Sequence, residues 1–138
     1  MNTQINNCHN KSYNEYHGII INRSQRDKAI FKTIEIIGER KSLWGLLALY
    51  KIRVLPENID GIIKAFQSNM ADKLFFKKQE FYFHFYRNNE LIVVFRDKIF
   101  RVSPDKSTWG EVIAHGHQLK IADTQLDFTP NTFDSEIY

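Results

Sequence analysis

The sequence predicts one α+β domain, in which an antiparallel or mixed sheet carries helices packed on one of its faces. The chain has 138 residues, of which 43% are hydrophobic and 25% are charged, as is usual for one soluble domain with its own core. Segments with apolar residues at helical spacing are separated by short runs of β-branched and aromatic residues. The stretch 79–102 contains three such runs with only turn residues between them, which indicates a β-meander.

The first two predicted elements are a strand over Tyr16–Ile21 and a helix after it. Three consecutive isoleucines end the strand, and β-branched residues favour extended structure. Ser24 has the residue type of a helix N-cap, and Gly38 is typical of a helix end. The apolar stripe of this helix is expected to comprise Ile30, Phe31, Ile34 and Ile37.

A second strand and a second helix are predicted on either side of Pro56. The segment from Trp44 to Val54 is predicted as a strand. Its alternating sets are Leu46, Ala48, Tyr50, Ile52 and Val54 on one side and Leu47, Leu49, Lys51 and Arg53 on the other. Pro56 suits the first position of a helix, because its missing N–H would have no partner there. The apolar stripe of this helix is the clearest in the chain and comprises Ile59, Ile62, Ile63, Phe66 and Met70.

Three strands follow within the meander and give the element order β-α-β-α-β-β-β-α. Asn88-Asn89 is predicted as the first turn, since asparagine tolerates positive φ. The second reversal is interpreted as a three-residue turn over 96–98, which keeps Phe100 and Val102 on the face of the phenylalanines and sends Arg101 to the opposite face. A two-residue turn at Asp97-Lys98 would instead place Arg101 beside the phenylalanines. A ferredoxin-like arrangement with additions is the topology that this order suggests.

The last predicted helix begins near Trp109, where Thr108 to Glu111 has the form of a capping box. A short turn or helix around Gln125 follows it. We interpret 1–15 as a flexible leader, 16–128 as the single domain and 129–138 as a polar acidic tail with aromatic anchors. The anchors considered are Phe128, Phe133 and Tyr138. One core is expected to contain Ile62, Ile63, Phe66, Phe83, Val94 and Trp109.

The cysteine content, the N-terminal sequence and the length of the apolar runs indicate a cytoplasmic protein. The net charge is +3, but 19–120 contain eighteen bases and eleven acids, whereas 121–138 contain four acids and no base. The lone Cys8 fits a reducing compartment. The N-terminus lacks the pattern of a signal peptide, and the longest apolar runs span about five residues where a membrane helix needs roughly twenty. We therefore expect no membrane partner.

The meander predicts two different faces. One carries the phenylalanines and receives the helices, and the other carries Tyr82, His84 and Tyr86 and is too apolar to be left in water. Lys51, Arg53 and Arg101 are expected on the same side as the tyrosines. The predicted ligand- or partner-binding residues are therefore Tyr82, His84, Tyr86, Lys51, Arg53 and Arg101.

A homodimer is the predicted cover of this surface, and the chain's own tail is the alternative. The function favoured is non-enzymatic binding or self-association, with a small enzyme or small-ligand-binding protein on the same face as the alternative. Nucleic-acid binding is a third interpretation, because aromatic side chains next to lysine and arginine are typical of sheets that stack nucleobases. It is disfavoured, since the element order does not match the common RNA-recognition domain.

No catalytic residue, cofactor or metal is predicted. Glu111 and His115 share a helical face that His84 would complete as a metal site, but no third ligand is fixed by local spacing. His115 and His117 point away from each other on a helix. Phosphate-loop, nucleophile-elbow and dinucleotide motifs are all missing from the sequence.

The stretch Phe81–Phe128 resembles a group of small prokaryotic proteins that are single α+β domains of similar length. The resemblance is carried by ELIVVFRDKIF at 90–100, SPDKSTWGE at 103–111 and QLDF at 125–128, and it extends weakly to YHG at 16–18 and RKS at 40–42. It implies a free-standing prokaryotic domain. It implies no activity, cofactor or catalytic residue, since none is attached to that group.

Overall fold

The computed structural model describes residues 14–42 and 44–128. The strands in these ranges are β1 (Tyr16–Ile21), β2 (Glu35–Ser42), β3 (Leu47–Val54), β4 (Lys73–Leu74), β5 (Lys77–Lys78), β6 (Tyr82–Arg87), β7 (Glu90–Phe95) and β8 (Ile99–Val102). The α-helices are α1 (Ile59–Ser68) and α2 (Gly110–Gln118). Short 3-10 segments occur at Asn22–Ser24, Lys28–Thr33, Pro56–Asn58, Lys106–Thr108 and Asp123–Gln125.

Six strands form one sheet in the order β2-β3-β1-β6-β7-β8, and β4 and β5 form a separate hairpin. Every pairing in the six-stranded sheet is antiparallel. The predicted α+β class is therefore confirmed. The topology is not the ferredoxin-like one, because the elements follow the order β1-β2-β3-α1-β4-β5-β6-β7-β8-α2 rather than β-α-β-β-α-β.

Helices α1 and α2 lie on opposite faces of the sheet, which differs from the expectation that one face receives all the helices. On the α1 face, the buried side chains of α1 pack with Phe83, Phe85, Ile92 and Val94 in one cluster. On the α2 face, Trp109 and Val112 pack with Leu91, Val93 and Phe95 in a second cluster. The prediction of one core that includes Trp109 is wrong, because successive residues of β6 and β7 are apolar on both faces and each face needs its own cover.

The predicted helix over 24–37 is replaced by a 3-10 segment, Lys28–Thr33, and by strand β2. Asp27, rather than Ser24, caps the segment, because its carboxylate accepts a hydrogen bond from the Ala29 N–H. The run from Thr33 to Ile37 is mostly β-branched, which disfavours an α-helix and favours pairing with β3. A register shift between Ile36 and Gly38 interrupts that pairing.

The second predicted strand and helix are confirmed with small changes at their ends. β3 begins at Leu47 rather than Trp44, because Trp44 to Leu46 form the turn after β2. Pro56 opens a 3-10 turn that continues directly into α1. The buried side chains of α1 are Ile59, Ile63 and Phe66, as its apolar stripe predicts.

The first turn of the meander is confirmed at Asn88-Asn89, where Asn88 has a φ of 51°. The prediction of a three-residue second turn is wrong. Phe95 N–H donates to the Lys98 carbonyl, so the loop contains only Arg96 and Asp97. In this register Phe100 pairs with Val93 and lies on the α2 face, and Arg101 pairs with Ile92 and lies on the α1 face.

The capping box predicted for the last helix is also absent. Asp105 caps the preceding 3-10 turn by accepting a hydrogen bond from the Ser107 N–H, and the Thr108 hydroxyl donates to backbone carbonyls instead of accepting from an N–H of α2. α2 itself begins after Trp109 without a side-chain cap. The short turn predicted around Gln125 is confirmed as the 3-10 segment Asp123–Gln125.

No helix within 14–42 or 44–128 combines the length and the apolar character that crossing a bilayer requires. The predicted leader lies almost entirely outside the described residues, and the predicted tail, with Phe133 and Tyr138, lies wholly outside them.

Candidate functional site

Five of the six residues predicted as a binding surface share the α2 face. Tyr82, His84 and Tyr86 lie on β6, and Lys51 and Arg53 reach the same side from β3 through β1. Arg101 is the exception, because the two-residue turn places it on the α1 face. There it forms ion pairs with Asp60 at 2.8 Å and Glu90 at 3.2 Å. The prediction that Arg101 lies beside the tyrosines is therefore wrong.

The aromatic surface around Tyr82 and His84 is covered by the chain itself. The fully buried Phe128 ring lies edge-on to Tyr82, with 5.3 Å between ring centroids, and 6.3 Å from the ring of His84. The Tyr82 hydroxyl donates a hydrogen bond to the Gln125 carbonyl. The other buried side chains of this cover are Trp109, Val112, Ile121 and Leu126.

This cover bears on two predictions. The homodimer was inferred from a bare apolar area, and residues 109–128 already occupy much of that area, so the homodimer stays a prediction without that premise. Stacking of nucleobases requires open ring faces. Phe128 stands against both Tyr82 and His84, which are therefore not an open platform.

Burial moves the pKa values of both titratable side chains on this surface away from neutrality. It lowers the pKa of His84 to about 4, against a smaller opposing effect of the Asp127 carboxylate. It raises the pKa of Tyr82 to about 12. The Nε2 atom of His84 is buried and has no hydrogen-bond partner within 14–42 and 44–128. At neutral pH the surface therefore presents an uncharged imidazole and an uncharged phenol.

A cluster of basic side chains lies beside His84 on the neighbouring strands. Lys51 is 2% exposed and His17 is 7% exposed, and the strand register brings His17 opposite Arg53. Burial, with the charges of Lys51 and Arg53, lowers the pKa of His17. The Nε of Arg53 donates to Glu35 over 3.1 Å and lies 3.5 Å from Glu15. Lys51 and His17 are enclosed, and Arg53 is paired with carboxylates. Both features are typical of side chains with a structural role rather than of side chains that contact phosphate.

A cleft of about 580 Å³ opens on the α2 face beside Tyr82 and His84. Its volume is within the range of small-molecule sites. Ile19 and Ile21 of β1 form its floor together with Leu47 and Leu49 of β3. Its walls are Leu74, Gln79, Glu80, Phe81, Ile121, Thr124 and Gln125. The cleft thus has an apolar floor, one buried imidazole and one phenol.

A second cleft, of about 540 Å³, lies between the end of β3 and α1. Its lining includes Arg53 and Glu35, which are bonded to each other. Arg53 and Glu35 satisfy each other's charge, and the third charged side chain of this lining is Glu57.

Sequence reasoning missed the floor of the main cleft and the residues 121–125 that wall it. The spacing of Ile19 and Ile21 was a signal, since alternate residues of a strand share a face. What the sequence lacked was the pairing of β1 between β3 and β6, which places both isoleucines beside His84.

The histidines of α2 pair with carboxylates rather than with each other. The Nε2 of His115 lies 2.8 Å from Asp97 Oδ1, and the ring packs edge-on to Phe95 at 5.0 Å between centroids. His117 is hydrogen-bonded to Asp123. Across 14–42 and 44–128, no three His, Cys, Asp or Glu side chains are grouped as they would be to hold a metal ion.

The resemblance of Phe81–Phe128 to small prokaryotic α+β proteins stays a prediction. No family model, no curated protein and no solved structure matches this chain.

Proposed function

We propose that the protein binds a small, predominantly apolar and uncharged molecule in the cleft beside Tyr82 and His84. The observation that carries this proposal is the cleft itself. Among residues 14–42 and 44–128 nothing covers its apolar floor, while the adjoining half of the same sheet face is closed by Phe128 and its neighbours. An open apolar concavity beside a few polar groups is the usual form of a small-ligand site.

The charges around the cleft support an uncharged ligand. His84 and Tyr82 are neutral at pH 7 because burial keeps their pKa values at about 4 and about 12. The carboxylate of Glu80 is paired with Arg96 over 3.2 Å. A charged ligand would give up its hydration without gaining a dedicated counter-charge, which is unfavourable.

The same pKa values favour binding over catalysis. General acid–base catalysis is most effective with groups whose pKa lies near the working pH. The pKa values of His84 and Tyr82 are displaced away from neutrality in opposite directions, and both displacements arise mainly from burial. A cytoplasmic location in a prokaryote completes the proposal, supported by the lone Cys8 and the resemblance given above.

The proposal is tested with N-phenyl-1-naphthylamine, an uncharged apolar probe whose fluorescence rises in apolar surroundings. We expect saturable binding to the full chain. Thr124→Trp should weaken binding at least tenfold, because the indole would occupy the cleft that Thr124 lines. Ser107→Trp is the matched control, since Ser107 is an exposed residue of another 3-10 turn and does not line the cleft.

Equal binding by the two variants, with both folded by circular dichroism, would contradict the proposal. So would the absence of saturable binding to the wild-type chain. Weakened binding by Ser107→Trp alone would place the probe away from the cleft and would also contradict it.

A further inference from the structure

Two turns at one end of the molecule expose large apolar side chains. Trp44 in the β2–β3 turn and Phe76 in the β4–β5 hairpin are 101% and 98% exposed. Leu46 and Phe75 beside them are about half exposed. We name these four side chains, Trp44, Leu46, Phe75 and Phe76, the aromatic tips.

Arg23 shows that the two turns lie next to each other. Its Nε donates a hydrogen bond to the Leu46 carbonyl over 2.7 Å, and its guanidinium lies 4.9 Å from the centre of the Phe75 ring. The backbone φ is 55° at Trp44 and 57° at Phe75, values that bulky side chains rarely adopt. The fold therefore holds both aromatic residues in uncommon conformations that leave their side chains largely in water.

The surroundings of the aromatic tips are basic. The segments 40–46 and 73–78 contain five basic residues and no acidic one. These residues are Arg40, Lys41, Lys73, Lys77 and Lys78, and each of them is exposed. The nearest acids in sequence are Glu39, which lies 3.9 Å from Lys41, and Asp72. The exposed apolar tips are thus flanked in sequence by an excess of exposed basic residues.

We propose that the aromatic tips dock on the surface of an anionic lipid bilayer, with Trp44 and Phe76 at the level of the headgroups. Tryptophan is enriched at that level, and basic residues near the surface are attracted by anionic lipids. The expectation of no membrane partner rested on the length of apolar runs, which concerns spanning a bilayer and not contact with its surface. This inference does not depend on the proposed function.

The shape of the aromatic tips favours lipid over another macromolecule. They project from two turns, so a protein partner would need a matching pair of pockets, whereas a fluid bilayer admits protruding side chains without one. Nucleic acid would account for the basic residues and for the aromatic rings, on which bases can stack, but not for Leu46, whose side chain offers neither a ring nor a hydrogen-bonding group.

The two tryptophans provide a direct readout of docking. Trp44 is exposed and Trp109 is 3% exposed, so only Trp44 can report a change from water to lipid. With vesicles of phosphatidylcholine and phosphatidylglycerol, we expect the protein to sediment with the lipid and its emission to shift to the blue. Vesicles of phosphatidylcholine alone should bind at least tenfold less, and 1 M salt should reduce binding to the anionic vesicles through screening.

Variants of the full chain separate the contributions to docking. Phe76→Ala should weaken partitioning roughly tenfold, and Lys77→Glu with Lys78→Glu should weaken it at least as much. Leu55→Ala is the matched control, because Leu55 is exposed just beyond the opposite end of β3 and should leave partitioning unchanged. Trp44→Phe should still bind but should lose the emission shift.

Equal binding to both kinds of vesicle, or to neither, would overturn the inference. So would an equal loss of binding in Phe76→Ala and Leu55→Ala. A blue shift with poly-glutamate at equal charge concentration, without one on the anionic vesicles, would show an acidic polypeptide as the partner and would overturn it as well.

Discussion

His84 is a titratable side chain enclosed among aromatic rings, and its burial couples stability to pH. Its pKa is about 4 in the folded protein and near 6.5 in an unfolded chain. The unfolded chain therefore binds more protons between these values. Stability from this group is fully present above pH 6.5 and is lost progressively as the pH falls toward 4.

The wild-type free energy of unfolding should fall by about 2 kcal/mol from this group between pH 7 and pH 5. His17 contributes in the same direction, since its pKa is also lowered. His84→Leu removes one of the two contributions, so urea unfolding should show a shallower pH dependence in that variant. Identical pH dependence in wild type and His84→Leu would show that His84 is not buried in its neutral form.

Phe83 is the side chain on which the assignment of the α1 face depends most. It is 1% exposed and packs edge-to-face on Phe66 and Phe85. Phe83→Ala should lower the free energy of unfolding by about 3–5 kcal/mol, because a large cavity is left in the core. Phe76→Ala is the matched control, and as an exposed site it should change stability by less than about 0.5 kcal/mol. A similar small change in both variants would refute the assignment.

Strand β1 is held between β3 and β6 at a point where only glycine fits. A Cβ on Gly18 would lie 2.6 Å from Phe85 Cδ1 and 2.8 Å from the His84 carbonyl oxygen. Gly18→Ala should therefore destabilise the protein by about 1–3 kcal/mol through overpacking against backbone that cannot move aside.

Helix α1 provides the control for that substitution. A Cβ on Gly61 would meet no atom within 4 Å. Gly61→Ala should stabilise the helix by about 0.5–1 kcal/mol, because alanine loses less backbone entropy there. Thermal unfolding of both variants checks the pair. Destabilisation by Gly61→Ala, or a neutral Gly18→Ala, would contradict the packing described for these elements.

Elements whose signals are local were predictable, and those that depend on distant partners were not. Pro56 and the stripe of α1 lie within one stretch of chain, and Asn88-Asn89 fixes its hairpin by its own backbone preference. The residues 30–37 satisfy a helical period as well as a strand, and pairing with β3 decides in favour of the strand. Periodicity within the segment does not carry that information.

In the candidate site, too, features with local sequence signals were predictable and features that depend on distant partners were not. The alternation of β6 places Tyr82, His84 and Tyr86 on one face, and the sequence showed that this face needs a cover. The position of Arg101 depends on one turn of two residues rather than three, and the identity of the cover, Phe128 with α2, depends on contacts between segments distant in sequence. A shift of one residue there reverses which face each side chain of β8 occupies.

In the described part of the chain, the sheet separates the core under α1 from an α2 face that is half covered and half open. The covered half lies over β6, β7 and β8, and the open half is the cleft floored by β1 and β3. The aromatic tips adjoin this cleft, because Leu47 and Leu74 line it and are the sequence neighbours of Leu46 and Phe75. The open apolar surface is therefore concentrated at one end of the sheet.

The most direct test of the binding proposal is methyl nuclear magnetic resonance of the full chain titrated with N-phenyl-1-naphthylamine. We predict saturable shifts, and nuclear Overhauser contacts to the probe, for Ile19, Ile21 and Leu49 in the floor of the cleft. The methyl groups of Ile63 and Val94 on the α1 face should not respond. Contacts confined to Leu46 at the aromatic tips, or equal shifts on both faces of the sheet, would contradict the proposal that the cleft is a binding site.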